Sequence, residues 1–213
     1  MSRALTFVAV VLALAAVTDC ALMQRGKPLE VTYYTPEQIA PGVANRQTAW
    51  GPALRLGRVA SKPDIGTRIA YGDGLHEVRY YDARRWTLQP EIYVRRSLTR
   101  GLFEESGFRR AIDGDAPSLD VEILAFQEVT TPERHEARVA LGVVLSADRV
   151  LYEGTIAASQ PVESDGFEGF VSAMARALDQ CSNEVAGRVG SALSAAQAPD
   201  HPAPPEAPGP AER

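Results

Sequence analysis

The side chains best suited to acid–base, nucleophilic or metal chemistry are few in this chain, and they lie far apart. They are three histidines and two cysteines: His76, His135, His201, Cys20 and Cys181. His76 adjoins Glu77 in a predicted strand, where successive side chains point to opposite faces. His135 falls in a charged hairpin tip (PERHEAR), where we expect it to face solvent. These positions predict neither a metal site nor a catalytic pair.

The sequence also lacks the motifs that carry common chemistry. It has no Gly-x-Ser-x-Gly elbow, no phosphate-binding Walker loop, no Gly-x-Gly-x-x-Gly and no His-Glu-x-x-His. We therefore expect no catalytic residue, no cofactor and no metal, and a protein that is not an enzyme. An unrecognised hydrolase is the alternative.

One stretch, between positions 68 and 86, combines arginine with aromatic residues. Such residues contribute most of the binding energy at protein interfaces. The candidate partner-binding residues are Arg68, Tyr71, Tyr80, Tyr81, Arg84, Arg85 and Trp86. The alternative is that Trp86 and one of the tyrosines bury their rings under the following helix, while the arginines pair with surface acids. Both can hold, because neighbours on a strand face opposite ways.

The amino terminus predicts export from the cytoplasm. Arg3 precedes an unbroken apolar run, residues 4–17 (ALTFVAVVLALAAV). Because a membrane-spanning helix needs about 20 residues, this run is typical of a signal peptide, which we place at residues 1–19. A buried core helix is the alternative.

Cys20 follows directly and resembles the lipobox cysteine of bacterial lipoproteins, which is acylated and becomes the first residue of the mature protein. Asp19 and Val17 differ from the usual lipobox residues. The alternative is cleavage by the ordinary signal peptidase, which leaves Cys20 as a free thiol. If Cys20 is acylated, Cys181 has no disulfide partner within the chain.

Composition sets the remaining limits. The chain has 213 residues, 45% of them hydrophobic, and a net charge of -5, which disfavours nucleic-acid binding. We expect a linker at residues 20–27 and one domain at residues 28–195. The last eighteen residues, 196–213, contain six prolines, so we expect a disordered tail.

The patterns between these limits alternate between strands and helices. The predicted strands cover residues 28–35, 53–59, two segments within 66–86 around Gly72-Asp73-Gly74, 108–112, 119–125, 139–145 and 150–156. A helix is predicted from Pro90 to Ser106, because apolar residues recur there every four positions and Gly107 follows. Steps of three and four residues predict a long amphipathic helix over Phe167–Leu193, with Cys181 on its buried face. The fold class is α/β: a single domain with a mixed β-sheet containing an antiparallel meander, one mid-chain helix and one long C-terminal helix.

Several segments, in order, resemble the auxiliary lipoprotein family of ABC transporters, which includes the paraquat-inducible protein C type. The resemblance covers about residues 20–195. The matching segments are Tyr33–Pro36, Arg68–Tyr71, Glu77–Tyr81, Arg85-Trp86 with Pro90, Leu102–Phe108, Leu119–Phe126 and the long C-terminal helix.

The resemblance implies a non-catalytic partner of an MCE-type system that moves lipids between the two membranes of Gram-negative bacteria. It implies docking to an MCE-domain protein, and an outer-membrane lipid anchor at Cys20 that faces the periplasm. Ala21 follows Cys20, in place of the aspartate associated with inner-membrane retention. The alternative is a periplasmic domain that binds a small molecule or lipid between its sheet and its long helix, without an ABC partner.

Overall fold

The structure is a computed structural model, and it describes residues 29–37 and 51–197. The predicted signal peptide, Cys20, the linker and residues 198–213 lie outside the described residues. The strands are β1 (Thr32–Tyr34), β2 (Ala53–Ser61), β3 (Arg68–Gly72), β4 (Val78–Trp86), β5 (Arg109–Arg110), β6 (Ser118–Thr130), β7 (His135–Ser146) and β8 (Val150–Pro161). The helices are α1 (Pro90–Thr99), which runs into a π-helical segment (Arg100–Glu105), and α2 (Phe167–Gln197).

The eight strands form one mixed sheet built around β6, the longest strand. β7 pairs antiparallel along one side of β6, and β8 pairs antiparallel with β7, as the predicted meander requires. The other side of β6 is shared, because β2 runs parallel to its first half and β3 runs parallel to its last residues. β5 extends the sheet beyond β2, while β4 and β1 extend it beyond β3. The compact unit that contains this sheet begins at Tyr33, the second residue of β1.

Both helices cover the same face of the sheet, and the core lies between them and the strands. The periodic residues of α2 are buried as predicted; Phe170, Met174 and Cys181 are fully buried. Each large apolar side chain removed from water in this way contributes about 1.5–3 kcal/mol to stability. None of the helices among the described residues is long and apolar enough to span a membrane.

The mid-chain helix begins at Pro90 as predicted but changes type before its end. At Arg100 the α-helix gives way to a π-helix, in which the Ser106 amide donates to the Gly101 carbonyl, five residues back, at 3.0 Å. The predicted helix is therefore present along its length, but its last turn is π-helical rather than α-helical. Leu98 and Leu102 are buried in the structure, so their four-residue spacing could not reveal the wider turn.

The Gly72-Asp73-Gly74 segment is a turn, as predicted. Gly74 adopts a φ of 79°, which glycine tolerates without strain. The Asp73 carboxylate accepts hydrogen bonds from the amides of Leu75, His76 and Glu77 at 2.8–2.9 Å. These bonds, that from Glu77 foremost, lower the pKa of Asp73 to about 2. The three hydrogen bonds from backbone amides fix the conformation of the turn, so no bound ligand is needed to explain the position of Asp73.

Candidate partner-binding surface

An irregularity in β4 divides the candidate partner-binding residues between the two faces of the sheet. Ala70 of β3 lies opposite Tyr80, but Arg68, two residues earlier, lies opposite Arg85, five residues later in β4. Three extra residues of β4 are thus inserted against β3. The insertion changes which side chains of β4 point towards the helices.

On the helix-covered face, Arg84 lies over two aromatic rings. Its guanidinium carbon is 4.1 Å from the ring centre of Phe167 and 4.7 Å from that of Tyr81. Tyr34 packs on Phe167 and Tyr71 packs on Tyr81, both with ring centres 4.5 Å apart. We call these five residues the Arg84 cluster. Arg84 is half-buried and has no carboxylate partner among the described residues.

A hydrogen-bonded chain of side chains extends from the Arg84 cluster into the sheet. The Tyr81 hydroxyl donates to Glu128 at 2.6 Å, and the other carboxylate oxygen of Glu128 lies 2.6 Å from His135 Nε2. Glu128 is almost completely buried. Burial, and then the bond to Glu128, raises the pKa of Tyr81 above its ordinary value.

His135 is exposed, as predicted, but its ring is also anchored to the sheet. It is the first residue of β7, and its ring contacts Glu128 although about half of the side chain is exposed. Glu128 was not among the candidate residues, because the predicted strand ended at Ala125 whereas β6 continues to Thr130. A longer strand alone would have put Glu128 on the open face, because strict alternation from Leu119 buries the odd-numbered residues. A register shift between Ile123 and Ala125 turns Glu128 to the buried face.

Arg85 stabilises the irregular part of β4. One of its terminal nitrogens donates to the backbone carbonyls of Tyr81 at 2.6 Å and of Arg84 at 2.8 Å. These carbonyls belong to the inserted residues, which the regular ladder with β3 does not pair. Arg85 thus holds the backbone that presents Arg84.

Trp86 lies in the core, as the alternative interpretation had it. The side chain is 1% exposed and contacts the rings of Tyr93, Phe126 and Phe170. It cannot contact a partner without unfolding of the domain.

Arg68 and Tyr80 lie on the open face of the sheet, away from the Arg84 cluster. The Arg68 guanidinium carbon is 4.6 Å from the ring centre of Tyr80, and the Tyr80 hydroxyl donates to the Asp64 carbonyl at 2.9 Å. The structure therefore contains two arginine–tyrosine pairs on opposite faces of the sheet, as the facing rule for strand neighbours allowed.

The sheet–helix interface is filled by side chains. Its largest members, among them Trp86, Tyr93, Phe170 and Met174, are no more than 1% exposed. A groove of about 460 Å³ lies instead on the open face, where the backbones of Gly142 and Gly154 form part of its floor. Within residues 29–37 and 51–197, no three His, Cys, Asp or Glu side chains are grouped so that they could hold a metal ion.

Comparison with known proteins identifies the family of this chain. The model of the family described as "ABC-type transport auxiliary lipoprotein component" matches residues 34–186. The chain belongs to this family. Its members are auxiliary lipoproteins of ABC-type transport systems, and lipoproteins belong to the cell envelope. No curated protein matches the chain.

Solved structures share the fold at low sequence identity. A protein from Xanthomonas campestris is 22% identical, with a TM-score of 0.62; the match covers 78% of this chain and 98% of that one. A hypothetical protein from Chlamydia trachomatis is 12% identical, with a TM-score of 0.50, over 68% of this chain and 98% of that one. These likenesses establish the fold, and the family match establishes the transport association.

Membership of a lipoprotein family makes the state of the two cysteines testable. Cys181 is fully buried, and burial raises the pKa of its thiol to about 12. Because only the thiolate is nucleophilic, we expect no reaction of Cys181 with Ellman's reagent at pH 8 in the native chain. Unfolding in guanidinium should expose one thiol if Cys20 is acylated, and two if it is not. Ser172→Cys, at an exposed position of α2, is the control that should react natively. Rapid native reaction of Cys181 would contradict its assignment to the core.

Proposed function

We propose that this chain is a non-catalytic auxiliary lipoprotein of an MCE-type ABC transport system that moves lipids between the inner and outer membranes. It acts by docking to the MCE-domain partner, and the Arg84 cluster forms part of the contact. The family match supports the transport role, and the Arg84 cluster carries the choice of surface.

The Arg84 cluster has the composition and the state of solvation of an interface anchor. A guanidinium over two aromatic rings is already partly removed from water, so its burial by a partner costs less than that of a hydrated lysine. Its donors are not engaged by a carboxylate among the described residues, in a chain whose net charge is -5. A partner carboxylate or backbone carbonyl placed on Arg84 would form a charge-assisted hydrogen bond.

The group most similar to a catalytic site does not favour the hydrolase alternative. Tyr81, Glu128 and His135 form a chain, but the raised pKa of Tyr81 keeps its hydroxyl protonated. That proton is donated to Glu128, which is almost completely buried. The arrangement fits a buried polar network that orients Tyr81 within the cluster.

The ligand-binding alternative is weakened by the filled sheet–helix interface described above. A lipid held between the sheet and α2 would have to displace Phe170 or Met174 from the core. The proposed site of action is the periplasmic side of the outer membrane, reached through acyl chains on Cys20.

Arg84→Ala should weaken the affinity for the proposed MCE-domain partner by roughly thirtyfold, which corresponds to about 2 kcal/mol for the loss of a central anchor. The matched control is Arg68→Ala, which removes the corresponding arginine–tyrosine pair from the opposite face. It should bind like the wild type. Both variants should melt near the wild-type temperature, because neither guanidinium forms part of the core.

Three results would count against the proposal. Unchanged binding by Arg84→Ala would remove the cluster from the interface. Weaker binding by Arg68→Ala alone would move the contact to the open face. A wild-type chain that binds no MCE protein would refute the docking function itself and favour the ligand-binding alternative.

A further inference from the structure

β8 is a long edge strand whose outer side is unpaired within residues 29–37 and 51–197. It has twelve residues, and within the described part of the chain only β7 pairs with it. Proteins commonly protect such edges with lysines, prolines, bulges or short strands. β8 carries a single charged residue, Glu153, and its one proline, Pro161, is the last residue. Its one register shift against β7 lies at Leu151, next to its first residue, so the strand is regular from Tyr152 onward.

The hydrogen bonds to β7 establish which backbone groups of β8 point outward. The Val162 amide donates to the His135 carbonyl at 3.0 Å, and Gln160 lies opposite Ala137, so the even-numbered residues face β7. The amides and carbonyls of the odd-numbered residues then face the free edge. Pro161 is consistent with this assignment, because its carbonyl accepts a hydrogen bond from the Arg176 side chain of α2 at 2.9 Å, outside the ladder with β7.

The outward row is composed mainly of small residues. Its members, all exposed, are Glu153, Thr155, Ala157 and Ser159. Their amides and carbonyls could form up to eight hydrogen bonds with a strand of the same length.

This row is self-complementary. In an antiparallel pair of β8 strands related by a two-fold axis at Ile156, Thr155 lies opposite Ala157, and Glu153 lies opposite Ser159. Within this row no charged side chain meets one of the same sign and no bulky side chains meet, and at the axis Ile156 lies opposite Ile156 of the second copy. We propose that β8 pairs with β8 of a second copy of this chain, so that the two sheets join into one across a two-fold axis.

α2 supports the same arrangement. It runs antiparallel to β8, since Gln180 contacts Gln160 at 2.6 Å, and Leu193 and Leu151 line one pocket at the opposite end. The part of α2 beside Ile156 therefore carries Glu184 and Arg188, an exposed pair with opposite charges. A two-fold axis brings this pair beside the same pair of the second copy in reverse order, so Glu184 of one copy lies near Arg188 of the other.

The tail is a poor occupant of this edge. α2 ends near the start of β8, so residues 198–213 begin close enough to reach it. Six of these sixteen residues are prolines, which have no amide to donate to a β-ladder. A strand from another protein is the competing occupant, and the experiment distinguishes it.

The full chain, purified in mild detergent, should have the mass of a dimer by light scattering at about 100 µM. Thr155→Lys/Ala157→Lys places lysine opposite lysine twice across the axis, and Thr155→Lys/Ala157→Glu places lysine opposite glutamate twice. We expect the first variant to dissociate at least roughly tenfold more readily than the second, which should remain dimeric. Because both positions are exposed, both variants should keep the wild-type melting temperature.

Hydrogen exchange tests the proposal without any substitution. The amides of Thr155, Ala157 and Ser159 should exchange more slowly at high than at low concentration of the wild type. A monomeric wild type, or equal dissociation of the two variants, would overturn the proposal.

Ala157→Pro removes only an outward-facing amide and tests the competing occupant. A monomeric wild type whose co-purification with the MCE protein is lost in Ala157→Pro would assign the edge to a partner strand and overturn pairing between copies. The proposal does not depend on the Arg84 cluster, so Arg84→Ala should leave dimer formation unchanged.

Discussion

Trp86→Ala is expected to lower the free energy of unfolding by about 3–5 kcal/mol, the range for truncation of a large buried aromatic side chain. The Trp86 side chain is 1% exposed and contacts three aromatic rings, which come from α1, β6 and α2. Its removal leaves a cavity where the sheet meets both helices. Thermal and urea unfolding, followed by circular dichroism, measure the loss.

Trp86→Phe is the matched control for this experiment. It keeps an aromatic ring in the core, and the Trp86 indole N–H has no hydrogen-bond partner among the described residues. We therefore expect a much smaller loss of stability than in Trp86→Ala. A stable Trp86→Ala variant that no longer binds the MCE protein would contradict the core assignment and return Trp86 to the interface.

Cys20→Ser is expected to release the protein from the membrane fraction almost completely. One acyl chain gives only marginal membrane binding, whereas two or more anchor a protein stably, and processing at a lipobox cysteine supplies several. Serine in this position cannot form the thioether through which the lipid is attached. The wild type should incorporate labelled palmitate and remain with the outer membrane, and Cys20→Ser should be unlabelled and found in the periplasmic fraction.

Cys181→Ala is the control, because it removes the only other thiol, on the buried face of α2. It should keep both the palmitate label and the membrane association. Label that persists in Cys20→Ser, or that is lost in Cys181→Ala, would refute acylation at Cys20. Release of an intact Cys20→Ser chain would still allow the docking and dimerisation experiments, because the anchor is separate from both surfaces.

The sequence alone determined the elements and the fold class, because these depend on local periodicity. Steps of three and four residues predicted a helix over Phe167–Leu193, and α2 spans Phe167–Gln197. Alternation predicted the meander. β6 and β7 extend the predicted strands at both ends, and β8 extends its predicted strand at the C-terminal end. Apolar residues repeat at these periods because one face of each element is buried, so the pattern survives without knowledge of the partner element.

Only the tertiary structure decided which candidate partner-binding residues share a surface. An insertion of three residues in β4 breaks strict alternation, so Arg84 and Trp86 point to the same face as Tyr81, towards the helices. Tyr80 of β4 and Arg68 of β3 lie on the open face. The pairing of Glu128 with Tyr81 joins residues 47 positions apart. Bulges, long-range hydrogen bonds and free edges follow from how the strands pair, and pairing is set by packing of the whole core, which leaves no periodic signal in any one segment.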